Sequence, residues 1–277
     1  MFHNSYQSGV ISILSAYGSN PLQLWDTTLD QSTDGSTLST GRVCRIKSDS
    51  SSSSTDDDTA NKVSGSAIEI SGEQLSRNYI TCPPSERSRS TSSSIHRTSL
   101  GIKLPYLNLI IHVPSQSDFS LEAVILDNKQ TIRRFRASTY QSTTVIKPDI
   151  CTFPLKLERQ HAHLVRDALL LEEPAEKKQK CVEDYELNGS YYGPQTNDND
   201  SDDEYTDSNN KKQSCWNNIC IPLAEYTKLA YGSTYQETVS IQIHSHCQLK
   251  RVYFSEKQMN EDDELPEEFR LYSRPSS

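Results

Sequence analysis

Apolar residues at alternate positions, broken by turn chemistry, recur along this chain and leave it few folds other than a sheet. Phe119, Leu121, Ala123 and Ile125 alternate with residues of the opposite face, a period of two. Asp127-Asn128 supplies a turn, and residues 131–137 return as a second strand. Further strand candidates are 67–70, 78–82, 100–104, 107–113, 152–157, 216–221, 239–243, 249–254 and a last one at 269–272. Many short strands with turns between them predict an all-β protein, a single β-sandwich or jelly-roll-like domain over residues 1–277.

One or two short helices are expected. Residues 222–231 place Leu223, Tyr226, Leu229 and Ala230 on one face, with Gly232 as a C-terminal stop. Val10, Ile13, Leu14 and Tyr17 fit helical spacing, but so short an apolar run fits a strand equally.

Three segments break the pattern. Residues 30–66 are rich in Ser, Thr and Asp, 85–97 form a Ser/Arg stretch, and 158–213 are long and acidic. Such compositions bury too little apolar surface to offset ordering entropy, so all three are expected as long disordered inserts. The overall hydrophobic content of 34% and mean hydropathy of -0.69 agree. The inserts carry -2, +2 and -7 of the net charge of -9. The rest is nearly neutral, which argues against a surface built wholly for nucleic acid or anionic lipid.

No run approaches the ~18–20 apolar residues of a membrane span. The first twenty residues lack a basic region before an apolar core, so no secretory signal is expected and the protein should be intracellular. Seven cysteines without regular spacing then read as reduced thiols.

Chemistry-bearing motifs are sparse. There is no G-x-S-x-G, P-loop or G-x-G-x-x-G, and no Cys/His nucleophile signature. Residues 198–209 alternate acidic side chains but lack the glycine and the final glutamate of a calcium loop. His244-Ser245-His246-Cys247 resembles a metal cluster; on a strand, His244 and His246 would share a face. Packed thiols and an ordinary histidine pair are the expectation there, so no catalytic, metal or cofactor site is assigned. The residues set apart for partner binding are Lys129, Arg134 and Arg136, with Lys250 and Arg251 distant in sequence. On a strand, Ile132, Arg134 and Arg136 share one face, and Arg133 takes the opposite one beside Phe135, where a structural ion pair is expected.

Several segments together carry a resemblance: Pro21-Leu22-Gln23-Leu24-Trp25-Asp26, Tyr79-Ile80-Thr81-Cys82-Pro83 and Leu100-Gly101-Ile102-Lys103-Leu104-Pro105. The most distinctive is Arg133-Arg134-Phe135-Arg136-Ala137-Ser138, running into Tyr140-Gln141-Ser142-Thr143-Thr144. Near the end stand Arg251-Val252-Tyr253-Phe254-Ser255 and Asp263-Glu264-Leu265-Pro266. In this order they closely resemble the cilia- and flagella-associated protein 20 family, over residues 1–29, 67–84, 98–157 and 214–274. The resemblance implies a single jelly-roll-like β-domain without enzymatic activity. It implies a ciliary or flagellar protein of the axoneme and basal body, at the inner junction of the doublet microtubule. The implied partners are tubulin and the Parkin co-regulated protein, and the implied roles are ciliary assembly, stability and motility, including sperm flagellum formation.

Two other readings rest on the residues alone. Jelly rolls also serve as ligand-binding modules, for which Tyr191, Tyr192 and Trp216 are candidate aromatics. A nuclear or cytosolic scaffold is the other, with Lys177-Lys178-Gln179-Lys180 as a possible targeting signal.

Overall fold

The computed structural model describes residues 1–30, 41–48, 65–84, 99–114, 117–157 and 216–258. The strands are β1 (Val10–Ser15), β2 (Asp26–Thr28), β3 (Arg42–Ser48), β4 (Gly65–Ser71), β5 (Tyr79–Cys82), β6 (Tyr106–His112) and β7 (Ser120–Asp127). They continue as β8 (Ile132–Ser138), β9 (Val145–Ile146), β10 (Ile150–Pro154) and β11 (Trp216–Pro222). After helix α1 (Leu223–Tyr231) come β12 (Tyr235–His244) and β13 (Cys247–Ser255).

They form two sheets. The six-stranded sheet runs β11-β6-β13-β4-β3, with β1 also paired to β13. The seven-stranded sheet runs β2-β5-β12-β7-β8-β10-β9. Only β8 and β10 pair in parallel; every other ladder is antiparallel. The all-β sandwich expected from the alternation is what the chain forms.

Alternation sets which side chains meet. Leu107, Leu109, Ile111, Val252 and Phe254 of one sheet and Leu121, Ala123, Ile125, Ile241 and Ile243 of the other are all buried in one core. Burial of these side chains, at about 1.5–3 kcal/mol each, is the main force joining the sheets. The helix closes one end of the sandwich: Tyr226 meets Phe135 and Phe153, with ring centroids 6.2 and 5.2 Å apart.

That helix is the one expected at 222–231, and Gly232 ends it as expected. Gly232 adopts the left-handed conformation (φ 58°) and its N–H donates to the Lys228 carbonyl at 3.0 Å. A Cβ there would meet nothing within 4 Å. Gly232→Ala therefore carries only the conformational penalty, and a loss of about 1–2 kcal/mol in denaturant unfolding is expected. The other helical possibility resolves to a strand, because Val10 to Ser15 find backbone partners along β13.

Two expectations are corrected. Residues 100–104 are not a strand but a segment with one bridge, Ile102 to Thr238. Gly101 (φ 68°) turns the backbone left-handed and breaks the ladder, while Tyr235 Oη holds the segment by donating to the Ile102 carbonyl at 2.8 Å. The loop expected throughout 30–66 contains β3, which pairs with β4 along its whole length. Val43, Cys44 and Ile46 are half-buried there, whereas Arg42, Arg45 and Lys47 face water on an edge strand. Residues 31–40, 49–64, 85–97 and 158–213 and the strand expected at 269–272 lie outside the described residues.

Candidate partner-binding face

Because Leu121, Ala123, Ile125, Phe135 and Ala137 turn into the core, their strand neighbours Glu122, Val124, Arg134 and Arg136 turn outward. Register then carries one row across the whole seven-stranded sheet. Val145 of β9 stands beside Thr152, then Arg136, Glu122, Gln242, Thr81 and finally Asp26 of β2. Only Val145 in this row is apolar.

Glu122 is the electrostatic centre of the row. Its Oε1 accepts from Arg136 Nε at 2.8 Å and lies 2.6 Å from Arg136 Nη2, and its Oε2 lies 3.4 Å from Arg134 Nε. Two guanidiniums thus cover one carboxylate, which is only 8% exposed although it points outward. His244 stands on the other side, Nε2 3.8 Å from Glu122 Oε1. The Leu75 carbonyl accepts from His244 Nδ1 at 2.9 Å, which leaves Nε2 to accept from Gln242 Nε2 at 3.2 Å. Burial lowers the His244 pKa, and Arg136 adds to that effect; the Leu75 bond and Glu122 pull the other way without cancelling it. His244 is accordingly a neutral hydrogen-bonding group at neutral pH.

One carboxylate serving two arginines leaves a net positive charge on this face. Arg134 is half exposed, and Ile132, two residues before it on the same face of β8, is 42% exposed. Lys129 is exposed at the β7–β8 turn. Glu122→Gln weakens the charge-assisted bonds to Arg136 and Arg134, and a stability loss of about 1–3 kcal/mol is expected in urea unfolding.

Arg133 takes the role expected of it, a structural ion pair. Its Nε lies 3.2 Å from Oδ2 of Asp127, whose side chain is fully buried. It also donates to the Pro148 carbonyl and stacks over the Tyr231 ring at 4.4 Å. Burial alone would raise the Asp127 pKa. Donors from the Thr131 N–H, the Ser233 hydroxyl, Arg133 and the Lys129 N–H outweigh burial and hold it below the ordinary value.

Lys250 and Arg251 do not join this face. They lie on β13 in the other sheet, 4% and 8% exposed. A bulge between Leu249 and Arg251 turns Lys250 over the Trp216 ring at 4.7 Å, and burial lowers its pKa to about 8. The five basic residues therefore divide into a set on the outer face of the seven-stranded sheet, with Lys129 and Arg134 exposed and Arg136 half-buried, and a buried pair. Adjacent charges suggested solvent-facing residues; both point away from the core yet are buried.

The histidine segment also differs from expectation. His244 ends β12, while Ser245 and His246 form the turn into β13, so the two histidines do not share a strand face. Cys247 Sγ lies 3.5 Å from the His244 carbonyl, and burial raises its pKa. Cys82 and Cys220 are pushed up to about 12 by burial and stay as thiols. Among the described residues no three His, Cys, Asp or Glu converge to hold a metal ion. Tyr191, Tyr192 and the segment 177–180 lie outside the described residues, and Trp216 is half-buried beneath Lys250.

Glu122 carries a sequence signal only in its outward parity on β7 opposite Arg136, and Asp127 only in its turn chemistry.

Comparison with known proteins supplies the kinship. A model of the CFA20 domain matches residues 1–168 and 202–273. The cilia- and flagella-associated protein 20 of Chlamydomonas reinhardtii is 34% identical over 272 residues, which is 98% of this chain and 97% of the relative. The protein of the same name from Paramecium tetraurelia is 33% identical, over 98% and 96%. That of Caenorhabditis elegans is 32% identical, over 98% and 91%. With this match running through both sheets and across the basic face of β7 and β8, the chain belongs to the CFA20-domain family.

Proposed function

We propose that this protein is a non-enzymatic structural component of the ciliary or flagellar axoneme, built into the doublet microtubule at its inner junction. Its near full-length kinship with proteins named for cilia and flagella in an alga, a ciliate and a nematode supports the ciliary part of this reading. The observation that carries the binding part is the exposed trio of Lys129, Ile132 and Arg134 on one hairpin of a rigid sheet. Cations set around an apolar patch on an ordered surface suit an acidic protein partner, which here is tubulin. The Parkin co-regulated protein is the neighbour proposed beside it. The role is to support assembly, stability and motility of cilia, including sperm flagella.

Cosedimentation with microtubules tests the contact. The double variant Lys129→Glu, Arg134→Gln is expected to weaken binding at least about tenfold, equivalent to about 1.4 kcal/mol. The new glutamine can keep a hydrogen bond to Glu122, and the unfolding midpoint read beside binding shows that the fold is intact. Binding of the native chain should also fall as salt rises, because the contact is between exposed charges. Unchanged binding by the double variant removes this face from the proposal. Imaging of the tagged protein in ciliated cells and spermatids tests the location: a diffuse nuclear signal without axonemal or basal-body label overturns it.

A further inference from the structure

Among the described residues, β1, β2, β3, β9 and β11 each pair with a strand on one side only and stand at sheet edges. Four of these edges are closed to a further strand by local features. β9 is two residues long and β2 three, too short for a ladder. β1 carries a register shift between Ser12 and Leu14, which twists it away from flat pairing. β11 ends on Pro222, which has no N–H to donate, and most of its residues are buried. β3 has none of these features. Its seven residues pair with β4 in unbroken register, from Arg42 opposite Ser71 to Ser48 opposite Gly65, and include no proline. In an antiparallel ladder alternate residues turn their N–H and C=O groups away from the partner strand. Toward the other described residues, β3 therefore presents a free row of backbone donors and acceptors.

The charged side chains along that row are all of one sign. Register fixes their faces: Val43, Arg45 and Lys47 stand opposite Ile70, Ile68 and Ser66, and Arg42, Cys44 and Ile46 take the other face. Arg42, Arg45 and Lys47 are exposed, while Val43, Cys44 and Ile46 are half-buried. β3 contains no acidic residue, and the one carboxylate of β4, Glu69, faces Cys44, with Oε2 3.9 Å from its Sγ. Arg45 donates to the Gly18 carbonyl as well, whereas Arg42 and Lys47 have no such bond to a described residue. Three cations on one edge repel a second copy of that edge, so the charge that opposes self-pairing selects an acidic strand. A phosphate backbone would meet the cations but neither the apolar side chains between them nor the free peptide groups.

We propose that β3 is a docking edge for an extended acidic segment of another protein, which adds to the six-stranded sheet as a further strand. Main-chain hydrogen bonds to β3 hold the guest, and its side chains alternate to match those beside them. An antiparallel guest reads acid, apolar, acid, apolar, apolar, acid along the edge from Lys47 back to Arg42. This edge lies in the other sheet from Lys129 and Arg134 and shares no residue with the microtubule contact proposed above.

The test uses the full chain and a fluorescein-labelled, end-capped peptide with the core Glu-Val-Glu-Val-Val-Glu, read by fluorescence anisotropy. Saturable binding is expected; no saturation by about 100 μM protein overturns the proposal. Two further peptides carry N-methyl groups at alternate residues, one in each parity. The parity whose N–H groups face β3 is expected to bind at least about tenfold more weakly; undiminished binding by both reduces the contact to charge and overturns strand addition. Hydrogen exchange locates the guest: residues 42–48 should exchange more slowly with peptide bound, and protection confined to any other segment overturns the assignment. The double variant Arg42→Glu, Lys47→Glu leaves Arg45 and its bond to Gly18 in place. It is expected to bind the peptide at least about tenfold more weakly and to accept one with lysine at the first and last core positions; native affinity in this variant refutes the edge. A concentration-dependent dimer of the native chain that the variant lacks assigns β3 to a second copy and overturns the proposal too. The peptide and exchange measurements on the native chain stand even where the variant fails to fold. No readout involves microtubules, so each result is independent of the function proposed above.

Discussion

Asp127→Ala is expected to cost about 3–5 kcal/mol, because it removes one member of a buried ion pair and leaves the other uncompensated. The carboxylate gathers four donors. Oδ1 accepts the Lys129 and Thr131 N–H groups at 3.0 and 2.9 Å, and Oδ2 accepts the Ser233 hydroxyl and Arg133 Nε at 2.9 and 3.2 Å. It thereby ties the β7–β8 turn to the chain that follows α1. For a domain of this size the loss should lower the melting midpoint by about 10 °C. Asp127→Asn keeps the shape and the Oδ1 acceptor but turns an amide donor toward Arg133 and Ser233, so its cost should be smaller yet clear. The pH dependence has a definite sign. The folded pKa is depressed, so the native state binds this proton less readily than the unfolded chain. The contribution is complete above the unfolded value of about 3.9 and is lost as pH falls through the lower folded value. Acid unfolding curves should show that limb in the native chain and lack it in Asp127→Asn.

Phe135→Ala is expected to cost a similar 3–5 kcal/mol through lost transfer energy and the cavity left behind. Phe135 is 2% exposed on β8 and points at the helix, with ring centroids 6.2 Å from Tyr226 and 5.9 Å from Tyr231. Phe135→Leu keeps most of the volume and should cost about 1–2 kcal/mol. Chemical denaturation of the three proteins reads both values. The two sites share a neighbour, since the Tyr231 ring meets both Phe135 and the Arg133 guanidinium. The combined variant should therefore lose less than the sum of the single losses.

The parts of the fold that the sequence announced are those where local pattern and burial coincide. The β7–β8 hairpin was legible because its alternation and its Asp-Asn turn point the same way. Helix α1 was legible because spacing and the stop at Gly232 agree. Residues 100–104 misled because alternating burial was read as pairing. Leu100, Ile102 and Leu104 are buried, but Gly101 turns the backbone out of strand geometry. Strand β3 was hidden by its surroundings: a window dominated by Ser and Asp masks Val43, Cys44 and Ile46, and its pairing with β4 is a tertiary fact. The basic residues show the same divide. Parity on β8 correctly separated Arg134 and Arg136 from Arg133. Nothing local to Leu249-Lys250-Arg251 marks these cations as buried, so their burial could not be read from the charges.

The position of β13 has a consequence for how the protein is made. It sits at the centre of the six-stranded sheet, paired with β6, β4 and β1, yet it is the last described strand to leave the ribosome. At about 5–20 residues per second, a chain of 277 residues takes about 14–55 s to synthesise. For most of that time β1, β4 and β6 have no central strand to join, and their apolar edges stand open to chaperones and to other nascent chains. A message truncated before β13 would therefore yield a product for proteolysis, not a smaller folded domain.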